Sequence, residues 1–100
     1  MRDFIPQIEP WINETELHYL RQVIDSTYVT EHDMTKLFES MTKELTGSSY
    51  AVATANGTAA LFCCLKALDV GPGDEVIVPN ITFIASSNAV IMAGATPVLC

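Results

Sequence analysis

The spacing of apolar residues changes character near residue 50. Before it, apolar positions recur at helical intervals. Leu17, Leu20 and Ile24 share one face of a helix that runs to about Asp25. Asn13 and Glu16, three positions apart, form a capping box at its start. A second amphipathic helix spans 34–46, with Leu37, Phe38, Met41 and Leu45 as its stripe and Gly47 as its stop. Both stripes predict ordinary core faces. Residues 1–12 read as an extended arm, because Pro6 and Pro10 break any helix. Residues 26–33 form a polar loop that contains Tyr28.

Beyond residue 50 short apolar runs alternate with turn signals. Residues 50–55 predict a buried strand, and 58–68 a helix apolar nearly all round and so covered on most sides. Gly71-Pro72-Gly73-Asp74 makes a turn into a β-branched strand, 75–79. A helix over 84–93 ends at Gly94, and a third strand follows over 96–100. The fold class is therefore α/β: an arm with two helices over 1–48, then a βαβαβ unit over 49–100 with parallel strands and right-handed crossovers.

Composition adds three points. The chain has 100 residues, of which 49% are hydrophobic and 17% charged. That is apolar for a self-sufficient domain of this size, and it predicts the N-terminal piece of a larger protein. A net charge of −7 without a basic patch argues against nucleic acid as a partner. No apolar run reaches a membrane span and no signal peptide opens the chain, so a cytoplasmic protein without a membrane partner is expected. Cys63, Cys64 and Cys100 are odd in number and lack metal-ligand spacing, which predicts buried free thiols and no metal site.

The candidate chemistry sits where strands meet helices. In such sheets ligands bind at the carboxyl ends of the strands. Asn56-Gly57-Thr58 follows the first strand and offers free helix N–H groups to an anion. Asn56-Gly57 suits a tight turn with positive φ, and Thr58 suits a helix cap whose hydroxyl faces the same anion. Many buried turns share this form. Phe83 follows the next strand, where it is either a stacking face for a flat ring or a core residue of its helix. If the two loops face one pocket, pyridoxal phosphate fits, and so does a nucleotide. The turn lacks the Gly-x-Gly-x-x-Gly pattern, which disfavours a dinucleotide.

Residues 50–99 resemble the DegT/DnrJ-type sugar aminotransferases, of the type I aminotransferase fold. The matching blocks are Asn56-Gly57-Thr58-Ala59-Ala60-Leu61, Gly71-Pro72-Gly73-Asp74-Glu75-Val76-Ile77-Val78-Pro79, Thr82-Phe83-Ile84-Ala85-Ser86-Ser87-Asn88-Ala89-Val90 and Gly94-Ala95-Thr96-Pro97-Val98. Upstream, Ile5-Pro6, Pro10, Ser26-Thr27-Tyr28-Val29-Thr30 and Leu37-Phe38-Glu39 are compatible with it.

The resemblance implies a pyridoxal 5'-phosphate enzyme that moves an amino group from glutamate to a nucleotide-linked keto-sugar. It implies that Gly57 and Thr58 hold the coenzyme phosphate, that Asn56 shapes the turn, and that Phe83 stacks on the pyridine ring. Tyr28 and Thr30 would lie near the sugar. The Schiff-base lysine is expected beyond Cys100, since Lys36, Lys43 and Lys66 match no such motif, so residues 1–100 are expected to be inactive alone. Perosamine synthases are the most similar subclass, and homodimers are implied. Glu31-His32-Asp33 departs from the family's Gly and Pro after the loop threonine, and His32 is expected to be a solvated loop residue. A sugar dehydratase of the same family, with histidine in place of the lysine, and a non-catalytic relative are the alternatives.

Overall fold

The computed structural model describes residues 4–6 and 8–100. Met1, Arg2, Asp3 and Gln7 of the expected arm lie outside the described residues. Backbone contacts divide the chain into two units, Met1–Ser49 and Tyr50–Cys100.

The first unit holds α1 (Glu14–Ser26) and α2 (Asp33–Thr46). The capping box forms at α1. Asn13 Oδ1 accepts from the Thr15 amide at 2.8 Å, and the Glu16 carboxylate accepts from the Asn13 amide at 2.7 Å. Thr27 closes the helix with φ +64°, and its amide donates to the Ile24 carbonyl. That left-handed conformation is uncommon for a β-branched residue. Gly47 closes α2 in the same way, with φ +70°.

The stripes of these helices are not ordinary core. No residue of α1 or α2 is fully buried; Phe38 and Met41 are well exposed. Tyr19, Leu20, Leu37, Phe38 and Met41 instead line an open apolar groove of about 580 Å³. The reason is geometric: among the described residues the unit supplies no third helix or strand to cover them.

In the second unit α3 (Gly57–Ala67) leads through a turn to β1 (Glu75–Val78), α4 (Ala85–Ala93) and β2 (Thr96–Leu99). The strands β1 and β2 are parallel, with Glu75 opposite Thr96 and Val78 opposite Leu99. Asp74 anchors the start: its carboxylate accepts from the Gly71 amide at 2.9 Å and its carbonyl accepts from the Thr96 amide at 2.9 Å. The ladder continues past Val78, whose carbonyl accepts from the Cys100 amide.

The core is small. Val78, Val90 and Ala95 are buried together, with Leu65, Val70 and Val76 packed against them. Ala85, Ala89, Val90 and Ala93 form the buried face of α4. Their small side chains let the helix lie close to the sheet.

Three expectations are corrected. Residues 50–55 form no strand, and Tyr50 and Val52 are largely exposed. A strand needs a paired neighbour, and among the described residues the ladder joins only β1 and β2. The unit is thus αβαβ rather than βαβαβ. No residue of α3 is buried; within this unit, among the described residues, it packs along α4 alone of the helices. For the same reason Cys63 and Cys64 are exposed free thiols, and Cys100 is exposed beyond β2.

Candidate functional site

At the start of α3, Asn56 is extended, with φ −168° and ψ 170°. Its Oδ1 accepts from the Ala59 amide at 2.9 Å, and its carbonyl accepts from the Thr54 hydroxyl at 3.0 Å. Asn56, and not Thr58, is therefore the helix cap. Both residue types cap well, but the helix begins at Gly57, which puts Thr58 inside its first turn and Asn56 at the cap position. Asn56→Ala in the full-length protein is expected to cost about 1 kcal/mol of stability, read from a denaturant midpoint.

The cap leaves the Gly57 and Thr58 amides without a protein acceptor among the described residues. Two free amides at the positive end of a helix favour an anion. Gly57 does not have the expected positive φ; it is the first helical residue. A Cβ there would meet nothing within 4 Å. The backbone therefore does not require glycine at this position, while its lack of a side chain keeps the space beside the free amides open. That space and those donors fit a phosphate group.

Phe83 precedes α4 and is 70% exposed, so it is not a core residue. Its carbonyl accepts from the Ser86 amide, and Thr82 and Ser86 share a hydroxyl contact of 3.1 Å. The ring has no aromatic partner among the described residues and leaves a face for a flat ligand. The apolar groove between α3, β1 and α4, about 270 Å³, is lined by Leu61, Leu65, Val78, Pro79 and Ser86. Asn56, Gly57, Thr58 and Phe83 do not line it, so the expected common pocket is not formed there.

Lys66 lies on α3, nine residues from Gly57. At ~1.5 Å per residue it stands more than 10 Å along the helix from the free amides. Its Nζ donates to the Val70 carbonyl at 3.1 Å.

A second candidate region lies within the first unit. Tyr28 and Thr30 line one cleft of about 440 Å³, together with Gln22, Ser26, His32 and Asp33. Thr27, with its left-handed turn, directs the chain into it. His32 lies in the bend before α2 with its side chain 40% exposed, as expected of a loop residue, and it also stacks on Tyr28 with ring centroids 4.3 Å apart and planes 10° apart. Its Nδ1 lies 3.5 Å from Asp33 Oδ2. The residue spacing carries no signal for this stack, which lies just after the Thr27 turn.

Residues 10–100 match the DegT/DnrJ/EryC1/StrS aminotransferase family. The chain belongs to that family. Among solved DegT/DnrJ/EryC1/StrS-like structures, Spr1654 of Streptococcus pneumoniae, assigned as a sugar aminotransferase, is 39% identical with a TM-score of 0.82. The alignment covers 95% of this chain and 24% of that protein, which has been solved in PMP, apo and PLP forms. An aminotransferase from Psychrobacter cryohalolentis is 43% identical with a TM-score of 0.78, covering 90% of this chain and 23% of that one. The aminotransferase TlmJ of Streptoalloteichus hindustanus is 35% identical with a TM-score of 0.77, covering 97% and 27%. The chain thus spans about a quarter of the length of these structures. Its α/β architecture is the N-terminal part of the PLP-dependent aminotransferase fold.

Proposed function

We propose that the full-length protein is a pyridoxal 5'-phosphate-dependent aminotransferase. It takes an amino group from glutamate and delivers it to a nucleotide-linked keto-sugar, for polysaccharide or glycan biosynthesis. The observation that carries this reading is the pair of open amides at Gly57 and Thr58, in a chain of this family. The coenzyme supplies the electron sink for amino transfer.

In this reading each residue has a limited task. The Gly57 and Thr58 amides, with the Thr58 hydroxyl, bind the phosphate. Asn56 holds the helix start rigid, so those donors need no rearrangement when the anion arrives. Phe83 covers one face of the pyridine ring, with offset stacking worth about 0.5–1.5 kcal/mol. Tyr28 and Thr30 contact the sugar. The lysine that carries the coenzyme and moves protons lies beyond Cys100. The assembled enzyme is a cytoplasmic homodimer of the perosamine-synthase type, with GDP-4-keto-6-deoxymannose as acceptor.

The test is spectroscopic. Full-length protein saturated with coenzyme should show a visible absorption band, which glutamate bleaches and the keto-sugar restores. Absence of any band at saturating coenzyme would favour a non-catalytic relative.

A further inference from the structure

The cleft of the first unit has a lining that limits what it can take. Among the described residues it is lined by hydroxyl and amide side chains, the apolar Val23, Val29 and Met34, one carboxylate at Asp33 and no lysine or arginine. A diphosphate finds no fixed cation there. A neutral ring rich in hydroxyl groups finds hydrogen-bond partners and an aromatic wall. That wall is the Tyr28–His32 stack.

His32 stands at the N-cap position of α2 but makes no side-chain cap bond. Its ring contacts are the stack on Tyr28 and the approach to Asp33. The imidazole is therefore dispensable for starting the helix.

We propose that His32 is a positioning residue for the acceptor sugar: stacked on Tyr28, it fixes the wall of a subsite that recognises the neutral sugar ring and not the diphosphate. This rests on the aminotransferase reading above and adds a residue and a ligand moiety to it. An unstacked Tyr28 samples several rotamers, and only one presents the wall to the ring.

The test uses the full-length holoenzyme with glutamate as donor and GDP-4-keto-6-deoxymannose as acceptor. His32→Ala should raise the KM for the acceptor by roughly three- to tenfold, the range set by one aromatic stack. The kcat, the KM for glutamate and inhibition by GDP alone should stay within about twofold, because none of them involves the sugar subsite. His32→Phe keeps a stacking ring and should restore the wild-type acceptor KM. An unmoved acceptor KM in His32→Ala overturns the proposal. So does failure of His32→Phe to rescue, or an equal rise in the glutamate KM, which marks a general structural defect. A wild-type enzyme with no turnover on this acceptor sinks the functional reading, and this inference with it; an active wild type with an insensitive His32 sinks the inference alone.

Discussion

Gly57→Asp in the full-length protein is expected to abolish coenzyme retention without weakening the fold. Two electrostatic effects of opposite sign meet at this position. The start of α3 is the positive end of a helix, and an acidic residue in the first turn stabilises such an end by about 0.3–1 kcal/mol. The same carboxylate would stand beside the Gly57 and Thr58 amides that are proposed to bind the phosphate. At ~5 Å and an effective dielectric of ~20, two negative charges repel by about 3 kcal/mol, a loss of roughly a hundredfold in affinity. The side chain has room, since a Cβ at Gly57 meets nothing within 4 Å. The coenzyme-free protein should therefore melt no lower than wild type, while a coenzyme titration shows the loss. An unchanged coenzyme affinity would remove these amides from the phosphate site.

Gly94→Val is expected to have the largest effect on stability, and for a different reason. Gly94 ends α4 with φ +89°, and its amide donates to the Ile91 carbonyl at 2.9 Å. A left-handed backbone costs an L-residue about 1–2 kcal/mol. A Cβ at Gly94 would also stand 3.2 Å from both Cγ and Cδ of Pro72, a closed ring that cannot swing away. Overpacking of that kind adds about 1–3 kcal/mol. The sum, about 2–5 kcal/mol, is a large share of the total for an ordinary domain. Gly47 provides the control. It has φ +70° but open space where a Cβ would go, so Gly47→Val should carry the conformational part alone. Urea midpoints of the two full-length variants test this, and equal losses would show that the Pro72 contact yields.

The elements read well from the sequence where their causes are local. Asn13 and Glu16 satisfy each other's backbone groups within one turn, and Gly47 and Gly94 stop their helices by a conformation glycine adopts easily. Residues 50–55 failed for the opposite reason. An apolar run of strand length has the same sequence whether or not a neighbour pairs with it, and here Val52 stays 82% exposed. The thiols of Cys63 and Cys64 follow the same logic, since burial depends on what else packs on α3. At the start of α3 the sequence shows a helix-cap signal in Asn56-Gly57-Thr58, but not which of these residues is the cap. The choice of Asn56 as cap turns on where the helix starts, and the freedom of Gly57 shows only when its surroundings are known. The Tyr28–His32 stack has no signature in residue spacing, and it follows a left-handed threonine that no propensity favours.

Asp74 uses its side chain to close one bend and its carbonyl to form the first rung with β2. Lengthening that bend by a single residue would slide one strand against the other and turn every side chain over, sending Val78 outward and Ile77 inward. Natural insertions and engineered tags are therefore expected to be poorly tolerated between α3 and β1.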